Sequence, residues 1–256
     1  LLTTALLPVF ATNDDASDTT TYTKPPVVVV AQRPMSAASD ETFRSRDLDL
    51  LPRMSTQDLL RVVPGLVITQ HAGGGKAEQI FLRGFDADHG TDVNINVEGA
   101  PVNMVSHGHG QGYADLHFVI PELVERIDLV KGPYFAQYGD LTTAGAVTLH
   151  LADTLPSNIA KIESGLYGFF RGLGILSSKH DATHVYVGGE IVTNSGYFDV
   201  PQGLDRLNLI GRTHTVLSKD ISLTSTAMYL TSSWDASGQI PERAVGNGLI
   251  SRFGSI

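Results

Sequence analysis

The residues of this chain best suited to chemistry stand in glycine-rich stretches. Ser106-His107-Gly108-His109-Gly110-Gln111-Gly112 places two imidazoles two positions apart; Asp86, Asp88 and His89 precede them, and His71 stands in a third such stretch. Imidazole and carboxylate are suitable ligands for zinc, nickel, copper or iron. His71, Asp86, Asp88, His89, His107 and His109 are therefore the candidates for meeting a metal or a metal chelate. The competing reading is that glycine-rich loops carry polar residues without any metal role. Spacing alone does not bring four donors to about 2 Å from one ion, and the zinc signatures borne on helices are missing. Met104, Tyr113 and Trp234 would stack on an aromatic or sugar ring, or else pack.

Enzyme readings fare worse. Gly73-Gly74-Gly75-Lys76 looks like the end of a phosphate loop, but Gln70 stands where its first glycine is required and Ala77 follows the lysine. Gly108, Gly110 and Gly112 lack the dinucleotide spacing, and there is no G-x-S-x-G elbow. Cysteine is absent, which excludes disulfides, thiolate metal sites and cysteine nucleophiles. The expectation is a protein that is not an enzyme and has no cofactor of its own. A net charge of −9, with 18 Lys and Arg spread along the chain, excludes a nucleic-acid partner, because neutralising phosphates requires clustered cations.

The elements that must position these loops are short. Ser55-Thr56-Gln57-Asp58 has capping-box spacing and predicts a helix carrying Leu59, Leu60 and Val63, stopped by Pro64-Gly65. Strands are predicted at Leu66 to Thr69, Gln79 to Leu82 and Val93 to Val97. Pro121 predicts the start of a second helix through Leu123, Val124 and Ile127, and a strand at Ala146 to Leu151 closes the unit. Upstream, Leu1 to Ala11 is an apolar run ending in a small residue, like the core of an export signal, or else a buried strand. Thr12 to Lys24 is too polar to form a core. The β-branched run Val27 to Ala31, between prolines, favours an extended segment able to pair with a sheet edge.

After residue 155 the texture changes. Ile221, Leu223, Ala227 and Tyr229 interleave with polar residues, as do Leu207, Leu209 and Thr213 with Asn208, Arg212 and His214. A period of two over about ten residues suits a barrel strand, apolar toward lipid and polar toward the lumen, although a soluble sandwich shows it too. No stretch approaches the roughly 20 apolar residues of a membrane helix.

Five segments then resemble, in order, the plug motifs of TonB-dependent outer-membrane receptors. They are Asp58-Leu59-Leu60 to Pro64-Gly65, Ile80-Phe81-Leu82-Arg83-Gly84-Phe85, Val97-Glu98-Gly99-Ala100-Pro101-Val102, Val124 to Pro133, and Gln137-Tyr138-Gly139. The departures are mild: the family often has Asp where Glu98 stands and a Gly pair where Gly145-Ala146 stands, and Asp140 to Ala144 is not the usual small-residue turn.

The resemblance implies an α+β plug domain followed by antiparallel transmembrane β-barrel strands, an incomplete barrel of the 22-stranded type. Residues 1–11 are then a signal remnant and 12–47 a flexible segment. Within the latter, Val27, Val28, Val29, Val30 and Ala31 take the place of the TonB box. Residues 48–151 are the plug and 152–256 the first strands of a barrel expected to continue. The resemblance also implies that the loops bearing His71, Asp86 to His89 and His107/His109 form the plug apex. Arg83 and Arg126 are expected to pair with carboxylates of later barrel strands. The implied function is TonB-dependent uptake of a scarce nutrient across the outer membrane. Its partners are the inner-membrane TonB energy-transducing complex, membrane lipid and a small-molecule or metal-chelate ligand. The alternative is a soluble periplasmic or secreted β-rich binding module.

Overall fold

The structure is a computed structural model that describes residues 39–70, 74–87, 90–139, 142–236 and 240–254. The signal-like run 1–11, the segment Val27 to Ala31, and His71, Asp88 and His89 lie outside the described residues. The first unit runs β1 (Ser39–Arg44), α1 (Ser45–Leu48), α2 (Thr56–Leu59), β2 (Leu66–Thr69), β3 (Gln79–Leu82), β4 (Phe85–Asp86), β5 (Val93–Val97), β6 (Ala100–Pro101), β7 (Val124–Lys131) and β8 (Gly145–Leu151). Its main sheet has the order β1-β7-β8-β5-β6, with β5 and β8 parallel; β2, β3 and β4 form a second, small sheet.

The main sheet is two-faced because side chains alternate along each strand. Ile95, Ile127, Leu129, Val147 and Leu149 share one face and are buried against Leu59, Leu60 and Ile80. Asn96, Thr148, Asp128 and Thr42 make a polar row across the other face. The predicted capping box forms: the Ser55 hydroxyl accepts from the Asp58 N–H at 3.3 Å, and the Asp58 carboxylate accepts from the Ser55 N–H at 3.1 Å. The helix it opens tightens into a 3-10 turn over Leu60–Val62, and Gly65, at φ +81°, ends it in a conformation that suits glycine.

Two expectations are corrected. The helix expected from Pro121 through Ile127 is only a 3-10 turn, Pro121–Leu123, followed at once by β7. The register shifts between Val124 and Arg126. This bulge puts buried Val124 and Ile127 three residues apart, a spacing that imitates a helix face. Ladders to β1 and β8 on both sides then decide for strand. Residues 39–47, expected within the flexible segment 12–47, instead belong to β1 and α1. Phe43 and Leu48 anchor this stretch in the core, and the Thr42 hydroxyl donates to Asp128 at 2.8 Å.

The second unit is an antiparallel sheet in chain order: β9 (Ile159–Ser164), β10 (Phe170–His180), β11 (Thr183–Asn194), β12 (Leu204–Ser218) and β13 (Ile221–Ser233), followed by α3 (Glu242–Gly246). It is open, with β9 and β13 as its edges. β10 to β13 have 11 to 15 residues, against the about 9–11 needed to cross a bilayer as a tilted strand. The predicted alternation holds. Asn208 and Arg212 are buried against the first unit, while Ile162, Leu176, Val187, Ile191, Leu209 and Tyr229 are exposed on the far face. The β10–β11 and β12–β13 turns are short and lie at one end; the 195–203 connection and the residues after β13 lie at the other. No described helix is long and apolar enough to cross a membrane.

Leu129→Ala separates the two readings of residues 124–131, because Leu129 lies off the expected helix face but is 1% exposed on β7. Urea unfolding should show a loss of about 2–5 kcal/mol. Glu125→Ala, at an exposed position of the same strand, should stay within about 0.5 kcal/mol.

Candidate functional site

The side chains with most electrostatic consequence lie where the first unit meets the inner face of the second. Arg171 is an arginine on β10 that shares its face with Leu173 and Ile175, and it is 0% exposed. An ion taken out of water there needs partners that approach the strength of its hydration. It has three. Its Nη1 and Nη2 donate to the two oxygens of Glu122 at 2.8 and 2.7 Å, a bidentate pair with a residue of the first unit. Nη1 also reaches Glu163 at 2.9 Å, and Nε reaches Glu190 at 2.6 Å. Lys161 donates to Glu122 at 2.8 Å, and Arg206 faces Glu190 at 3.5 Å. Three cations thus face three carboxylates. The Asn208 amide ties the cluster back to the first unit, donating to Glu190 at 3.0 Å and to the His117 carbonyl at 2.7 Å.

Pro121 brings Glu122 to this point by opening the 3-10 turn at the bottom of β7. Burial pushes the Glu122 carboxyl up, but the hydrogen bonds and charges of Arg171 and Lys161 outweigh it and hold the group below the usual carboxylate range. Nearby, burial pushes Glu78 up despite the proximity of His117. At Asp115 burial is overcome by the hydrogen bonds and charge of His117, whose Nδ1 lies 2.9 Å from Asp115 Oδ1, and that carboxyl is held down.

A second cluster sits nearer the short-turn end. Arg212 Nη2 donates to Glu98 at 3.0 Å and to Asp153 at 2.6 Å, while its Nη1 donates to Thr226 at 2.8 Å. The other Glu98 oxygen accepts from the Leu151 N–H at 2.5 Å, at the last residue of β8. The Tyr186 hydroxyl donates to the Ala152 carbonyl at 3.1 Å.

These clusters are separate from the pairing expected of Arg83 and Arg126 with later barrel strands. In both clusters the first unit supplies carboxylates (Glu98 and Glu122) and the second supplies arginines (Arg171 and Arg212). Arg126 binds Asp128 on its own strand at 3.1 Å, and Arg83 is exposed at φ +54°. Neither meets the β9–β13 sheet among the described residues. Sequence reasoning overlooked Arg171 and Arg212 as anchors, yet the signal was there. An arginine in phase with the inward positions of a strand, such as Arg171 beside Leu173 and Ile175 or Arg212 beside Ile210, announces a buried charge and a partner to be found.

The described parts of the glycine-rich loops meet through glycine backbone and one tyrosine. Residues 104–113 form a hairpin closed by the Met104–Tyr113 bridge. The Tyr113 hydroxyl accepts from the Ala77 N–H at 3.0 Å. A Cβ on Gly112 would lie 1.8 Å from the Gly90 carbonyl oxygen, so only glycine lets these two loops meet. The His107 ring stacks on Tyr113 at 4.2 Å and 9°, its Nδ1 accepting from the His109 N–H at 3.1 Å. Asp86 stands on β4. Among the described residues no group of three His, Asp or Glu is arranged to hold a metal. What the described loops offer is an exposed imidazole, stacked on the buried Tyr113 ring, beside exposed Met104 and Val105.

Residues 34–146 match the family model described as TonB-dependent Receptor Plug Domain. Solved structures with the same fold include the ferric citrate transporter FecA in its unliganded form (TM-score 0.68, 15% identity, covering 86% of this chain and 34% of that one). The copper transporter OprC superposes with TM-score 0.60 at 19% identity, covering 73% of this chain and 29% of that one. The siderophore receptor PirA from Pseudomonas aeruginosa gives 0.52 at 20% identity, covering 75% and 35%. At these identities the likeness establishes the fold. The chain spans about a third of the length of each of these structures.

Arg171→Met should cost about 3–5 kcal/mol in denaturant unfolding, because three carboxylates lose a shared buried partner. Adding Glu122→Gln and Glu190→Gln should recover part of that loss. The pH dependence follows from Glu122, whose folded-state value is depressed. Its contribution is present above the ordinary carboxylate range and is lost as pH falls through the depressed value. An acid titration of stability should therefore be shallower in Glu122→Gln.

Proposed function

We propose that this chain, whose residues 34–146 are a TonB-dependent receptor plug domain, belongs to an outer-membrane transporter in which the plug gates a barrel begun by β9–β13. The transporter takes up a scarce nutrient, an iron chelate, another metal complex or a similar small molecule, using energy delivered by the inner-membrane TonB complex. The observation that carries this reading is the interface between the two units. Plug carboxylates bind inward-facing wall arginines, while the opposite face of the same strands is apolar and exposed.

The physical argument runs from the solvent. A sheet that is apolar outside and charged inside suits a bilayer on one face and a polar lumen on the other. A lumen as wide as that of a roughly 22-stranded barrel needs a filling, and a separately cored plug provides one. Short turns mark the periplasmic end of such barrels and longer loops the external end. This places the 195–203 connection and Trp234 outside, and Asp153 and the Arg212 cluster toward the periplasm. The outer membrane has no nucleotide supply, so displacement of the plug needs a partner that reaches across the periplasm. Val27 to Ala31, upstream of β1, is the segment through which it would be engaged.

The relatives named above transport copper and ferric citrate or receive siderophores, which supports a metal-bearing cargo. The His107–Tyr113 surface supports recognition of a ligand with a planar or metal-chelating group. Two experiments test the reading. Deleting Val27 to Ala31 from the full-length receptor should abolish uptake while leaving ligand binding at the cell surface intact; uptake at the unaltered rate would refute coupling through that segment. Fractionation should give a heat-modifiable band that requires detergent, whereas a freely soluble product of the full gene would favour a periplasmic or secreted binding module.

A further inference from the structure

Trp234 follows β13 directly, at the long-loop end of the wall. It packs so closely on the plug that a Cβ added to Gly75 would lie 2.0 Å from its Cδ2 and 2.2 Å from its Cγ. Leu204, at the start of the neighbouring strand β12, backs the same loop, with its Cδ2 3.1 Å from where a Cβ of Gly74 would stand. The indole N–H is buried and has no partner among the described residues, so packing rather than a hydrogen bond holds the ring. This contact differs in kind from the two ionic clusters further along the wall.

The contact is continuous with the exposed hairpin. Two residues after Gly75, Ala77 is 1% exposed and gives its N–H to the Tyr113 hydroxyl. The Tyr113 ring then carries the stacked His107. An unbroken run of packed and hydrogen-bonded groups thus joins a wall residue to the exposed imidazole. Such a run offers a route for energetic coupling, which a change at one end must be shown to carry to the other.

We propose that Trp234 is a positioning residue that ties the plug's His107–Tyr113 hairpin to the wall through Gly75, Ala77 and Tyr113. The hairpin and the start of the outer loop after β13 then move as one body, and Gly75 is required because any side chain there would take the space of the indole. That a ligand displacing His107 would be registered at the wall rests on the uptake reading above. The mechanical link does not.

Trp234 is the only tryptophan of this sequence; with any tryptophan elsewhere in the full-length receptor replaced by phenylalanine, its fluorescence tests the link with no cargo present. That full-length receptor in detergent is compared with Gly75→Ala, Tyr113→Phe and His107→Ala, and with Tyr229→Phe on the outward face as control, after circular dichroism has matched each variant to the parent protein. Tyr113→Phe removes one buried hydrogen bond, which should shift the docked-to-undocked ratio of the loop about fivefold. Acrylamide quenching of Trp234 should rise and its emission move to longer wavelength, although the lost hydroxyl is bonded to Ala77 and not to the indole. Gly75→Ala should do the same more strongly, His107→Ala more weakly, and Tyr229→Phe not at all. Where Gly75→Ala does not fold, Tyr113→Phe carries the test. Quenching that changes in Gly75→Ala but not in Tyr113→Phe would break the link at Ala77, and no change in either would overturn the contact. Neither outcome bears on uptake, which the deletion of Val27 to Ala31 tests separately.

Discussion

A guanidinium with no access to water sits where the two units of this chain meet, and much of the rest of the structure can be understood as the means of keeping it there. Arg171 faces Glu163 directly across the β9–β10 ladder and takes Glu190 from β11, so the wall's own register brings two of its three partners. The third, Glu122, comes from the plug. Removing it would leave the remaining charges buried and mismatched, which is why the cluster fixes how the plug sits and not merely that it sits. The apolar part of the junction, where Leu173, Ile175, Tyr186 and Ile210 join the plug core, supplies adhesion but little directional preference.

On the uptake reading proposed above, an interface built this way balances stability against release. Well-packed apolar residues of similar volume in place of a buried ion network are often neutral or stabilising by about 1–4 kcal/mol. A plug sealed by such residues would resist displacement and would expose a greasy surface when moved. Carboxylates and arginines can instead exchange each other for water as they separate. The plug also keeps its own core, since most buried apolar side chains of residues 43–151 pack against one another. The polar row of Asn96, Thr148, Asp128 and Thr42 gives it a second face that tolerates water.

The sequence made much of this legible, for reasons that can be named. The Ser55–Asp58 capping box, the stop at Pro64-Gly65 and the alternating strands after residue 155 are local signals, and each appears where its chemistry places it. Residues 121–131 misled because a bulge imitates helical spacing. The strand at Ser39–Arg44 was hidden because an edge strand needs only one buried side chain, here Phe43, to hold it. The candidate site was half legible. The glycine-rich loops stood out by their motifs, but the ion pairs that the plug makes with β10 and β12 did not. Arg83 and Arg126 were conspicuous in their motifs, whereas Glu98 and Glu122 acquire meaning only once β10 and β12 are folded opposite them.

Glu98 shows how far the junction overrides local preference. It occupies the β5–β6 hairpin turn with Gly99, at φ +54° and +80°, and a turn with both central residues at positive φ favours Asn or Asp before Gly. A longer side chain in the left-handed region costs about 1–2 kcal/mol. Aspartate would suit the backbone better but is one methylene shorter. The glutamate carboxylate lies 2.5 Å from the Leu151 amide and 3.0 Å from Arg212. It thereby joins the final residue of the plug's last strand to the wall, at the point where the chain passes from one to the other. The turn accepts a conformationally poorer residue because reach, not turn propensity, decides whether plug and wall are tied at that crossing.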